Sequence, residues 1–116
     1  MSSDQQPDRF QEAKSAGLVR GSDQPDIEAG LAAIKDVVRT LPLAPGVYRM
    51  LDAKGEVLYV GKAKALKNRV TNYTQLNGLT RRIQRMIAQT RAMVIVTTEN
   101  ERAALLLEAQ LIKHYR

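Results

Sequence analysis

Apolar positions along the 116-residue chain fall into short runs whose period switches between helical and extended. Ile27, Leu31, Ile34, Val37, Val38 and Leu41 recur at helical steps and mark one face of an amphipathic helix. Asp26 is placed to cap its start, and Leu41-Pro42 to end it. Val47 to Leu51 and Glu56 to Gly61 are short runs rich in Val, Leu and Tyr, and read as strands. Between them, Asp52-Ala53-Lys54-Gly55 carries Asp first and Gly fourth, which suits a type I turn and predicts a β-hairpin. A loop of those four residues pairs Leu51 with Glu56 and sets Tyr48 directly opposite Tyr59. A loop one residue longer pairs Leu51 with Val57 and separates the two phenols onto opposite faces, unless a bulge near Gly61 restores the parity.

Lys64 to about Asn72 reads as a short helix with Leu66 and Val70 inward, and Asn77-Gly78 as a break. Leu79 to Thr90 turns Leu79, Ile83, Met86 and Ile87 to one side and Arg81, Arg82 and Arg85 to the other. Ala92 to Thr97 predicts a third strand, buried on both faces. Thr98 with Glu101 forms a capping box for a last helix, Glu99 to Tyr115. The order predicts an α+β domain over residues 27–116, a small three-stranded antiparallel sheet flanked by helices. Residues 1–26 are polar and without period, and read as a disordered tail.

Composition narrows the chemistry. The chain has no Cys and one His, which excludes thiolate catalysis, zinc ribbons and multi-histidine metal sites. The polar start and the shortness of every apolar run argue against a signal peptide and a membrane span. A reducing, cytoplasmic setting fits. Charge is more informative. Residues 1–39 carry seven acids against five bases, and residues 40–116 five acids against thirteen bases. From Val57 to Thr98 there is no acid, while Lys62, Lys64, Lys67, Arg69, Arg81, Arg82, Arg85 and Arg91 all fall there. Such a stretch is either a solvated basic face or the footprint of a polyanionic partner, of which nucleic acid fits better than a membrane surface.

Two constellations have chemical potential. Glu108 has Ala104, Leu105, Leu111 and Ile112 as its helical neighbours. A carboxylate there is either a ligand for a hard divalent cation or an edge residue reaching water or a distant Arg. Tyr59 and Gly61 share a strand face, Lys62 ends the strand, and Arg69 follows on the next helix. Gly61 would let a phosphodiester approach the backbone. A phenol with a pKa near 10 is a poor base, and an adjacent ammonium would favour the phenolate. The plainer reading makes Tyr59 a strand residue with a polar tip, and Lys62 and Arg69 nonspecific phosphate contacts. Tyr73 either stacks, hydrogen-bonds or lids the core; Tyr48 lies on the first strand.

Three strings carry a family resemblance: Leu-Pro-x-x-Pro-Gly-Val-Tyr (41–48), Leu-Tyr-Val-Gly-Lys-Ala-Lys-x-Leu-Lys-x-Arg-x-x-x-Tyr (58–73) and Glu-x-x-Ala-Leu-Leu-Leu-Glu-x-x-Leu-Ile-Lys-x-Tyr (101–115). They resemble the GIY-YIG nucleases, in the UvrC-like branch that supplies the incision domain of bacterial nucleotide excision repair. The resemblance covers about residues 31–116. It implies one-metal phosphodiester hydrolysis on the 3′ side of a lesion in damaged double-stranded DNA, with UvrB-type and UvrA-type subunits as partners. Tyr59 would take the proton from water and Lys62 hold that charge, with Gly61 at the site. Arg69 would stabilise the phosphate, Tyr48 and Tyr73 orient water and phosphate, and Glu108 bind one Mg²⁺ or Mn²⁺. Lys62, Lys64, Lys67, Arg81, Arg82 and Arg85 would track the DNA backbone. Family members continue past the equivalent of Arg116 with a segment whose Asn supports the site, so the domain reads as truncated there. A nucleic-acid-binding module that makes no cut, and a GIY-YIG nuclease of another branch, are the competing readings. A buried Glu108 separates the first, since a pure binder has no use for it.

Overall fold

The computed structural model describes residues 24–115. Most of the tail expected over 1–26 lies outside them. Helix α1, Ile27–Val38, starts as anticipated: Asp26 Oδ1 accepts from the backbone N–H of Glu28 at 3.0 Å and of Ala29 at 3.1 Å. The Asp26 N–H donates to Ala88 C=O at 2.8 Å, and Arg91 Nη2 donates to Gln24 C=O at 2.6 Å. Entry to the domain is therefore tied to the end of a later helix.

Strands β1 (Gly46–Leu51), β2 (Val57–Ala63) and β3 (Ala92–Thr97) form an antiparallel sheet in the order β2-β1-β3. The central place falls to β1, whose Val47, Tyr48 and Met50 are almost fully buried. Strand β3 is an edge, not the doubly buried strand expected: its side chains are half-buried or exposed, and Val96 stays 36% exposed. Its apolar run is set by one covered face and by β1 alongside.

The hairpin departs from the expected register. Gly55 N–H closes a turn on Asp52 C=O at 3.0 Å, and Gly55 itself sits at φ 83°. A glycine in that left-handed state adds a residue after the turn. Asp52 N–H then donates to Glu56 C=O at 2.9 Å, and Leu51 pairs with Val57. On its own this register would have parted the tyrosines. A bulge at Leu58 shifts the ladder by one, so that Met50 pairs with Tyr59 and Tyr48 with Gly61. The parity error and the bulge cancel. Tyr48 and Tyr59 share a face, diagonal to one another rather than directly opposed.

Helices α2 (Leu66–Asn72) and α3 (Arg81–Gln89) join α1 on the face of Tyr48 and Met50. Leu66 and Val70 are fully buried, as expected, beside Ile34 and Ile87. Each such side chain contributes roughly 1.5–3 kcal/mol of burial. Thr80 Oγ1 caps α3 by accepting from Ile83 N–H at 3.2 Å, so Leu79 packs against the core from the loop, outside the helix. Helix α4 (Glu101–His114) lies on the other face, against β1 and β2, where Val47 and Ala104 are buried. Its cap is Asn100, whose Oδ1 accepts from Ala103 N–H at 2.8 Å. The expected Thr98–Glu101 capping box is absent, because Thr98 Oγ1 donates to Asn100 C=O instead. No helix among the described residues is long and apolar enough to cross a membrane.

Candidate active site

Three phenols converge where β1, β2 and the end of α2 meet. The Tyr48 and Tyr73 hydroxyls are 2.7 Å apart, and their rings meet edge to face with centroids at 5.9 Å. The Tyr59 ring lies 6.1 Å from Tyr48. Access to water differs sharply: Tyr48 is 0% exposed, Tyr73 8% and Tyr59 37%. Tyr59 is thus the one phenol of the three that a water or phosphate in solvent meets readily.

Gly61 has a different task from the one its position suggested. A Cβ there would stand 2.4 Å from both Cζ and the hydroxyl oxygen of Tyr48. The space a side chain would need is filled by the phenol, so Gly61 seats Tyr48 rather than leaving room for a phosphodiester.

Burial pushes the Tyr48 phenol well above its ordinary range, and the hydrogen bond to Tyr73 and the nearby Tyr59 push the same way. Burial also raises Tyr73, whereas the hydrogen bond from Tyr48 works against that rise. The Arg69 guanidinium lowers both, which places a positive charge within electrostatic reach of the pair. Both buried phenols remain protonated at neutral pH and able to donate.

Lys62 pairs with Val47, one residue beyond the Tyr48–Gly61 pair, and so turns to the α4 side of the sheet. The ammonium expected next to Tyr59 is therefore on the opposite face, and Arg69 is the cation whose charge reaches the buried phenols. Lys62 and Arg69 meet again along the β2 edge. There they line an open groove of ≈ 720 Å³ with Lys64, Glu101, Arg102 and Leu105. Lys64 Nζ is 3.8 Å from Glu101, an exposed pair of little energetic weight. Lys67 is exposed on α2. Arg82 and Arg85 line a second groove, of ≈ 740 Å³, together with Tyr59, while Arg81 and Arg85 border a shallower opening towards Ile27.

Glu108 is half-buried on α4, not stranded on a buried face. Its neighbours Leu105 and Ile112 are 49% and 41% exposed. The apolar run of α4 is wider than the strip that β1 and β2 cover, so the burial cost expected for Glu108 does not arise. It stands one turn beyond Leu105 on the stripe that lines the first groove. Among the described residues its carboxylate takes no hydrogen bond or ion pair, and no cluster of three or more His, Asp or Glu is present. One such carboxylate suits a hard divalent cation that completes its shell with water and phosphate oxygens. Sequence reasoning missed the leucines of the groove and the seating of Tyr48 on Gly61; the glycine two places past a strand tyrosine was the available signal for the latter.

Residues 44–116 match the UvrC-like GIY-YIG domain. The chain belongs to the UvrC-like GIY-YIG family. UvrABC system protein C of Zymomonas mobilis is 64% identical over 112 residues, which is 97% of this chain and 17% of that protein. The protein of the same name from Sphingopyxis alaskensis is 64% identical over 95% of this chain and 18% of its own length. The chain thus spans under a fifth of these relatives. The GIY-YIG N-terminal endonuclease domain of UvrC from Thermotoga maritima, bound to its catalytic divalent cation, magnesium, superposes with a TM-score of 0.65 at 40% identity. That match covers 72% of this chain and 90% of that one. Single Tyr→Phe point mutants of the Thermotoga domain, and an Asn→Ala mutant, are bound to the cation as well. As a member of the GIY-YIG family, this chain shares with them the three-stranded antiparallel sheet packed between helices.

Proposed function

We propose that this domain is a divalent-metal-dependent DNA endonuclease, and that it makes the 3′ incision of nucleotide excision repair. The observation that carries the proposal is the phenol cluster: two buried, hydrogen-bonded tyrosines pack against a third that reaches the surface, with the Arg69 guanidinium within electrostatic reach of the buried pair. The magnesium-bound Thermotoga domain supports it.

Tyr59 takes the proton of the attacking water, as a phenolate or as a relay that passes its own hydroxyl proton on to solvent, because it is the phenol of the cluster that reaches solvent. Tyr48 is sealed, so it acts through Tyr73: their bond fixes the hydroxyl that faces the phosphate. Both stay protonated, and one of them donates within their shared hydrogen bond. Arg69 spans the phenols and the first groove, and balances charge on the phosphate as its geometry becomes that of the transition state. Lys62 meets the same phosphate from the α4 side of the β2 edge. Glu108 would hold one Mg²⁺ or Mn²⁺, which supplies charge neutralisation at the phosphate and leaving oxygen. Persistence of the cation in the Tyr→Phe mutants of the Thermotoga domain supports a cation held by something other than a phenol.

The relatives' name puts them in the UvrABC system, and from it we take UvrA-type and UvrB-type partners and damaged duplex DNA as substrate. A non-cutting DNA-binding module would use the basic residues but not the buried phenol pair. Incision of a lesion-bearing duplex by Tyr59→Phe, with partners present, tests the reading. Loss of cutting with DNA binding retained supports it, and cutting at the parent rate overturns it.

A further inference from the structure

Two grooves open along β2, and Tyr59 lines one of them. Arg69, whose charge reaches the buried phenols, opens onto the groove between α2 and α4. Tyr59 itself lines the other groove, against α3, with Leu58, Arg82, Arg85, Met86 and Gln89. Arg82 and Arg85 stand one turn apart on α3, both exposed, and neither makes an ion pair among the described residues. No acid lines this groove, whereas Glu101 in the first groove already lies beside Lys64. Two unneutralised guanidiniums at an apolar-floored groove are suited to a chain of phosphates whose sugars lie on the floor.

From this we infer that the DNA strand crosses the domain at Tyr59. Arg82 and Arg85 hold its backbone on one side of the reacting phosphate, which Lys62 meets, and Lys64 holds it on the other. The inference rests on the nuclease reading above and adds to it the α3 groove as a strand-binding surface. An acidic protein segment would satisfy the same arginines, but it gives no reason for them to share a groove with the reactive phenol.

The absence of cysteine from the chain makes the test direct. Gln89→Cys places a single thiol in the α3 groove, and Leu106→Cys places one in the α2–α4 groove, which Leu106 also lines. Maleimide alkylation is timed with and without a duplex oligonucleotide, and binding is followed in the same samples by fluorescence anisotropy. At DNA about ten times above the Kd, roughly nine-tenths of the protein is bound, so an occupied groove is alkylated about tenfold more slowly. Both thiols should be protected. Adding Arg82→Gln and Arg85→Gln should release the thiol at position 89 alone and lower the salt slope of binding by about two units. A thiol at position 89 that reacts at its DNA-free rate while DNA is bound overturns the inference, leaves the nuclease reading intact and returns the arginines to an acidic protein partner. Absence of DNA binding by the parent removes the nucleic-acid reading itself.

Discussion

Adding one methyl group at Gly61 tests how the phenol cluster is held. The new Cβ would stand 2.4 Å from Tyr48 Cζ and 2.4 Å from its hydroxyl oxygen, where ordinary contact begins near 3.4 Å. Strand and ring must therefore part by about 1 Å. Tyr48 has no free space to retreat into, being fully buried, and its hydroxyl sits 2.7 Å from that of Tyr73. Overpacking of this kind costs about 1–3 kcal/mol, and loss of the buried hydrogen bond adds about 1 kcal/mol. Together they amount to about 3 kcal/mol, or a Tm lower by about 15 °C for a domain of this size. The sign is diagnostic, because Gly→Ala in unstrained extended backbone stabilises slightly by restricting the unfolded chain. Thermal melts followed by circular dichroism would compare the parent with Gly61→Ala, and then repeat the pair in a Tyr48→Leu background that lacks the clashing atoms. In that background the cost should shrink below about 1 kcal/mol. A Gly61→Ala protein that melts within about 2 °C of the parent, or the same cost in both backgrounds, refutes the seating of Tyr48 on Gly61.

Other outcomes follow from the same geometry. Tyr59→Phe should keep the DNA affinity of the parent and shift its Tm little while losing cutting, because Tyr59 is 37% exposed; steady-state incision against anisotropy separates the two. Burial holds the Tyr48 and Tyr73 protons to higher pH in the folded chain than in the unfolded one. That stabilisation is complete below about pH 10, where unfolded tyrosines titrate, and fades above it, so Tm should fall on the alkaline side and fall less for Tyr48→Phe. Parallel declines of parent and variant contradict it. Arg69→Ala should reduce the incision rate more than DNA affinity, unlike Lys64→Ala, and equal losses of affinity with rates spared remove its special role.

Local chemistry was legible where it acts within a few residues. The Asp26 cap, the inward Leu66 and Val70, and the three strands all follow from spacing and side-chain type. The shared face of Tyr48 and Tyr59 was anticipated by a wrong route: the left-handed Gly55 lengthened the loop, and the bulge at Leu58 undid the effect. Neither could be counted from the turn sequence, because a bulge answers to how the strand must bend over its core. Asn100 displaced Thr98 as the α4 cap because the hydroxyl was recruited to the Asn100 carbonyl. Misjudgements about burial have one source. Which of several apolar faces is covered depends on the layers around it, so β3 was expected to be buried twice, and Glu108 was left open between a cation ligand on a buried face and an edge residue. In the fold β3 is an edge, and α4 covers only β1 and β2. Gly61 shows the same limit at the site, since only the folded ladder brings the Tyr48 ring over it.

Central to the account is a cut that needs one divalent cation held at Glu108. The direct measurement is a metal-titrated nicking assay on damaged duplex with the partner subunits present, comparing the parent with Glu108→Gln at matched DNA occupancy. The parent should nick only when Mg²⁺ or Mn²⁺ is added. The variant should fold and bind DNA like the parent and nick slower by a factor on the order of 10³, the loss expected when several kcal/mol of charge stabilisation are removed. Nicking by Glu108→Gln at the parent rate, with the same metal dependence, would contradict it.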